Sequence, residues 1–347
     1  MVMKKTLFSF IILLASLSLQ AQEERLSWSA EVVSEGQWSM SGGGTRWMNV
    51  FNAGVGVKLW RGALFDATAL STYGAGSPVA ADRMGFSNID AENNAFRLFH
   101  AGLSQNFFND RLSVFVGLKA ADEDYFNTSL SGLFTGSAYG AMPTFTESHA
   151  IAVYPEAALA LHLEYTGGNW TLRETLYNGA PSDKIDEQFR FRPGRDGLFN
   201  IGSVMYAVES DEVAPASYTL GYAVTTKEAC GHNEFGLWGS VEQPVCNVGR
   251  ARVSLLAQAS KNFARTASCK GFWAGGVVAE NITKNGGQLG FSVCRIYCID
   301  GNETDAEITF NCPVGAGFSI QPAVHAIRTD GESNIVGLLR LCYEIGN

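Results

Sequence analysis

The sequence is poor in charge, in proline and in long apolar runs. Asp, Glu, Lys and Arg make up 17% of its 347 residues against 46% hydrophobic ones, which fits neither an ordinary cytosolic enzyme nor a disordered chain. Nine prolines are too few for a polyproline linker, and 38 glycines without a three-residue period exclude collagen. Past Leu19 no stretch reaches the roughly 20 apolar residues that a spanning helix needs. No basic stripe follows a nucleic-acid backbone, so nucleic acid is not expected as a partner. HExxH, GxSxG, P-loop and strand-borne GxGxxG motifs are missing, and neither a catalytic set nor a cofactor is expected. The seven cysteines, all between Cys230 and Cys342, contain no CxxC pair, and the five histidines are scattered; no metal site is expected.

The one continuous apolar run opens the chain. Lys4 and Lys5 precede Leu7 to Leu19, and Ser18-Leu19-Gln20-Ala21 ends on a small residue, the pattern of a secretory signal peptide over residues 1–21. The alternative, an uncleaved anchor, finds no longer apolar stretch behind Gln22-Glu23-Glu24-Arg25. Losing the two lysines takes the formal charge from −9 to −11. In an exported protein disulfides are permitted, and an odd cysteine count leaves one thiol unpaired within the chain. Export leaves two classes for residues 22–347: a soluble β protein, or a single barrel domain in an outer membrane.

Alternation with period 2 decides between them. In Asn49 to Trp60, Phe51, Ala53, Val55, Val57 and Leu59 share one face and Asn52, Gly54, Gly56 and Lys58 the other. The pattern recurs in Leu112 to Lys119, in Leu159 to Tyr165 and, more weakly, in the second half of the chain. Strands are predicted over 28–38, 47–60, 63–73, 95–107, 112–119, 156–165, 170–178, 197–207, 216–226, 233–241, 250–262, 271–280, 286–296, 304–312, 315–328 and 334–346. An even number of strands, many near the roughly 9–11 tilted residues that cross hydrocarbon, predicts an all-β fold: a closed antiparallel transmembrane barrel of about 16 strands. Short links at 61–62, 108–111 and 166–169 alternate with long ones at 74–94, 120–155 and 179–195, the turn-and-loop asymmetry of bacterial outer-membrane barrels. Trp28 and Trp38, Trp47 and Trp60, and Trp170 and Tyr177 bracket strands, as interfacial girdles do; core packing is the alternative.

A charge facing lipid at the midplane costs roughly 2–4 kcal/mol, so charged strand residues turn inward. Lys58, Lys119, Glu164, Arg252 and Arg340 are thereby assigned to the lumen, with Arg173 on the seventh strand; His162 and His325 read as ordinary lumen polar residues. The loop 120–155 is the candidate for folding into the lumen, because loops of that length are usually functional or disordered. Asp122, Glu123 and Asp124 would then form an acidic wall, or else a solvated run on an external loop. Phe189-Arg190-Phe191-Arg192 with Arg195 would line a vestibule, or else serve solubility.

Three stretches resemble the carbohydrate-selective porins of the OprB type. The first runs from Leu103-Ser104-Gln105-Asn106-Phe107-Phe108 through Leu112 to Lys119, then Asp122-Glu123-Asp124-Tyr125-Phe126 and Gly132-Leu133-Phe134. The second holds Tyr154-Pro155, Tyr177-Asn178-Gly179 and Asp196-Gly197-Leu198-Phe199; the third is Gln321-Pro322 followed by Ile335 to Arg340. After Gln321-Pro322 the chain departs from the family, with Ala323, Val324, His325 and Ala326 in place of an acidic residue and a Gln-Tyr pair. The resemblance implies passive diffusion of small sugars through a water-filled pore lined by arginines, carboxylates and aromatics. Guanidinium forks donate to sugar hydroxyls, carboxylates accept from them, and ring faces cover apolar sugar faces. The expected contact set is Lys58, Lys119, Asp122, Asp124, His162, Glu164, Arg173, Arg190, Arg192, Arg252, Gln321 and Arg340. The expected partners are small polar solutes and outer-membrane lipid, with homo-oligomerisation open. The alternatives are a nonselective pore and a noncatalytic structural or adhesive outer-membrane protein.

Overall fold

The computed structural model describes residues 25–74, 77–208 and 216–347; the expected signal peptide lies outside them. The strands are β1 (Leu26–Ser39), β2 (Thr45–Trp60), β3 (Ala63–Tyr73), β4 (Asn94–Phe107), β5 (Leu112–Lys119), β6 (Ala158–Gly167), β7 (Trp170–Asn178), β8 (Leu198–Val208), β9 (Ala216–Thr225), β10 (Glu234–Val248), β11 (Ala251–Asn262), β12 (Cys269–Glu280), β13 (Gln288–Cys298), β14 (Gly301–Gly315), β15 (Phe318–Thr329) and β16 (Ser333–Gly346). All sixteen are antiparallel neighbours in chain order, and β1 pairs with β16 to close the barrel. Closure pairs backbone groups that would otherwise be orphaned in hydrocarbon. β14 outruns its expected span because it continues through a bulge at Pro313, where the missing N–H is tolerated.

The barrel is inside-out relative to a soluble protein. On β2, Phe51, Val55 and Leu59 are exposed while Met48, Val50 and Gly56 are buried. On β6, Leu161, Leu163 and Tyr165 are exposed while Ala160 and His162 are buried. The apolar face meets lipid, and the alternation holds with its sides exchanged. Exposed aromatics mark both rims: Trp38, Trp47, Tyr73, Phe96 and Phe235 on one, Trp60, Phe107, Tyr165, Trp170 and Tyr218 on the other. Tyr177 is not part of a girdle. It points inward, fully buried, with its ring 5.7 Å from that of Phe199.

The long links 74–93, 120–157 and 179–197 all leave the first rim, whereas 61–62, 108–111 and 168–169 are tight turns at the second. In the second half the links are short at both rims, which is why asymmetry fades there. The turn Ala316-Gly317 places both residues at positive φ, as a two-residue hairpin requires. A Cβ on Gly317 would lie 2.0 Å from the Glu344 carbonyl oxygen.

Candidate pore constriction

The segment 120–157 does not project from the rim; it folds into the barrel through two short 3-10 turns and the helices α1 (Ala138–Ala141) and α2 (Pro143–Thr146). Its buried Phe126, Phe134, Tyr139, Met142 and Phe145 pack on Trp238, Leu256, Phe272, Val278 and Ile296 of β10 to β13. These strands therefore carry apolar residues on their inner faces too, and the alternation that reads clearly in β2 weakens in them. Glycine makes room: a Cβ on Gly236 would stand 2.3 Å from the Phe145 ring.

Polar anchors fix the segment to the wall. Glu307 of β14 accepts the Thr135 N–H at 2.8 Å, the Thr135 hydroxyl at 3.0 Å and the Gly136 N–H at 3.3 Å. Glu242 accepts the Leu130 N–H, and the amides of Gln258, Asn262 and Gln321 donate to the carbonyls of Phe126, Thr144 and Leu133. The link 74–93 also turns inward: Glu303 accepts the Arg83 and Met84 N–H groups, and the Ser87 hydroxyl donates to Glu35. The two segments hold one another through Asn88 N–H to Thr135 O and Ser137 N–H to Gly85 O.

Together they leave a cavity of about 570 Å³ on the β1, β2 and β16 side, within the range of small-molecule sites. Glu31, Asp90, Asp122 and Glu123 line it with four carboxylates against the single guanidinium of Arg340. Asn52, Asn88, Asn127 and Gln321 add amides, and Phe99 and Tyr154 add rings in edge contact at 6.0 Å. A second cavity of about 450 Å³ shares Glu123 and Asn127 with the first and is lined by Asp124, Arg173 and Glu242 as well.

The charges are held rather than loose. Arg340 Nη2 lies 2.7 Å from Glu35 Oε2 and donates to Asn88 Oδ1 at 2.8 Å. Glu35, fully buried, also accepts from Gln37 and Ser87. Asp122 accepts the Tyr154 N–H at 3.1 Å through Oδ2, while its buried Oδ1 has no hydrogen-bond partner. Burial with that unmet oxygen, aided by Glu123 and Asp124 beside it, pushes the Asp122 carboxyl up to about 7. Burial opposes ionisation of Glu123 too, but His100 at 2.8 Å and Lys119 at 3.4 Å outweigh it and hold Glu123 below the usual range.

The expected contact residues fall into three groups. Asp122, Gln321 and Arg340 line the first cavity, and Asp124 and Arg173 the second. Lys119, His162 and Glu164 stand behind that surface as partners: Lys119 Nζ is 3.1 Å from Asp124, His162 Nδ1 is 2.6 Å from the Thr175 hydroxyl, and Glu164 accepts from Arg173 Nε at 2.5 Å. Lys58, Arg190, Arg192 and Arg252 line neither cavity. Lys58 is exposed near the tight-turn rim, Arg252 pairs with Glu280 at 2.7 Å, and Arg190 and Arg192 pair with Asp186 and Asp196 inside the link 179–197. Sequence reasoning missed Glu35, His100 and the whole inner role of 74–93. Glu35 and Gln37 do alternate with Ser34, Gly36 and Trp38 on β1, a signal that was available.

A closed sixteen-stranded barrel with an aromatic belt at each rim and a loop folded into its lumen is a porin of the outer membrane. The chain belongs to the carbohydrate-selective porin OprB family, whose model matches residues 56–335. It admits small sugars by passive diffusion, and its family and fold are those of channels rather than enzymes. Among solved structures it is similar to the high-pH form of OprB from Pseudomonas putida, with TM-score 0.80 at 17% identity over 93% of this chain and 95% of that one. The low-pH form of the same protein gives 0.64 at 15% identity, covering 93% of each chain. An anion-selective porin from Comamonas acidovorans gives 0.57 at 13% identity, over 92% of this chain and 98% of that one. No curated protein sequence matches the chain significantly.

Proposed function

We propose that neutral monosaccharides and short oligosaccharides cross this barrel between the inward segments 74–93 and 120–157 on one side and the wall of β1, β2 and β16 on the other, touching Arg340, Asp122, Glu123, Asn88 and the rings of Phe99 and Tyr154. The observation that carries this reading is the Arg340 guanidinium, clamped by Glu35 and Asn88 yet lining a cavity otherwise rich in carboxylates and amides. A fixed fork beside acceptors and ring edges offers several modest contacts to hydroxyls, and passage requires contacts weak enough to release. The acidic excess favours neutral and cationic solutes over anionic ones. The rim with the long links faces outward, and cleavage after Ala21 gives a mature chain beginning at Gln22.

Swelling of liposomes containing the purified protein tests this. Rates should fall steeply from hexose to trisaccharide, and a sugar acid should enter more slowly than the neutral sugar of the same size. Equal rates for neutral and anionic sugars would show that the carboxylates of Glu31, Asp90, Asp122 and Glu123 do not act on the passing solute.

A further inference from the structure

At the rim from which the long links leave, three potential metal ligands of three kinds converge. His149 follows α2 on the inward segment, Cys230 ends the helix α5 (Lys227–Cys230; α3, Ile185–Gln188, and α4, Pro193–Asp196, precede it), and Glu234 opens β10. One ligand atom of each lies within 4.8 Å of the others. In a tetrahedral zinc site, bonds of roughly 2.0–2.3 Å put ligand atoms about 3.3–3.8 Å apart, so the cluster needs to contract by about 1 Å.

We propose that His149, Cys230 and Glu234 bind one late first-row divalent ion, zinc(II) by their chemistry, with the fourth position left to solvent. The independent observation is His149: its side chain is only 8% exposed, and neither ring nitrogen makes a hydrogen bond. Its Nδ1 stands 3.3 Å from Glu234 Oε2 without bonding geometry. A buried imidazole whose Nε2 meets nothing and whose Nδ1 meets only a poorly aligned carboxylate is costly unless something else engages it. His232 Nε2 lies 2.8 Å from Glu234 Oε1 and is 31% exposed, which gives an ion a solvent path. Asn262 donates to Glu234 Oε2 at 2.9 Å and orients the carboxylate, as outer partners of metal ligands do. One thiolate and one carboxylate with a neutral imidazole balance the charge of a divalent ion, and thiolate with imidazole selects zinc over calcium or magnesium. The ion ties the inward segment to the rim beside β10, adding a pin where α2 meets the wall.

Cobalt(II) is the probe. The full-length protein in detergent is reduced with a phosphine, stripped with a chelator and titrated. The expected result is one equivalent bound, with a thiolate-to-cobalt band in the near ultraviolet and tetrahedral bands in the visible, all displaced by zinc(II). Cys230→Ser should abolish the ultraviolet band, Cys246→Ser, at an exposed thiol, should keep it, and His149→Ala should weaken binding on the order of tenfold or more. Each variant is first shown to be assembled by its shifted electrophoretic mobility on heating. No binding by the parent protein, a band that survives Cys230→Ser, or unchanged affinity in His149→Ala would overturn the proposal.

Discussion

Between pH 5 and pH 9 the selectivity of the channel for cations should rise, and Asp122→Asn should abolish the change. Asp122 is held at about 7, against 3.8 for a free carboxyl, because its Oδ1 is buried without a partner and Glu123 and Asp124 lie beside it. At pH 5 about 1% of the molecules carry the charge and at pH 9 about 99%, so one full charge appears in the cavity wall over that range. A monovalent ion about 4 Å away feels roughly 1 kcal/mol in water and about 4 kcal/mol at an effective dielectric constant near 20. The aqueous limit alone gives roughly a fivefold change in cation preference. Glu123 contributes none of it, because His100 and Lys119 keep it ionised across the range.

Reversal potentials across a planar bilayer with a salt gradient, measured at steps of half a pH unit, read this directly. A midpoint near 7 in the parent and a flat profile in Asp122→Asn is the expected result. A profile that titrates identically in both, or a parent that titrates only below pH 5, would refute the reasoning. The same shift has a sign for stability: the folded protein binds the proton more tightly than the unfolded chain, so this carboxyl's contribution is full at low pH and is lost as pH rises from about 4 to about 7.

Arg340→Gln should strand the buried Glu35 charge at a cost of about 3–5 kcal/mol, lowering the denaturation midpoint and adding open-channel noise, whereas Glu35→Gln with Arg340→Gln should recover most of the stability. A single variant as stable as the parent would show the pair to be solvated. Glu307→Ala removes the acceptor of three donors and leaves two N–H groups and a hydroxyl to find other partners, at about 1–3 kcal/mol for each left unmet, though the apolar packing of Phe126, Phe134 and Phe145 keeps the segment inside. Single-channel conductance and noise should therefore rise while assembly persists; unchanged traces from an assembled variant would deny Glu307 its anchoring role.

What the sequence disclosed of this molecule follows from what lipid does to a strand. Exchanging water for hydrocarbon reverses the two faces of β2 but leaves their period, so the runs at 112–119 and 170–178 appear as the strands expected there. The inward segment was legible from its length, since thirty-odd residues without periodicity between strands need somewhere to pack. The inner role of 74–93 was not, because its partners, such as Glu303 for Met84, lie on the far side of the chain. Charge was the more deceptive signal. Arg173, Arg252 and Arg340 look alike on their strands, yet each faces a carboxylate directly across a register: Glu164, Glu280 and Glu35. The first pairing can be worked out beforehand, since Glu164 and Arg173 are equidistant from the tight turn at Gly168-Asn169 and a two-residue hairpin fixes its own register. The second lies across the six-residue link 263–268, whose length does not by itself fix a register, and the third exists only because β1 meets β16. All three inward charges are thus paired, and whether one also lines a cavity, as Arg173 and Arg340 do and Arg252 does not, depends on where along the wall the inward segments leave space, which hydropathy alone does not carry.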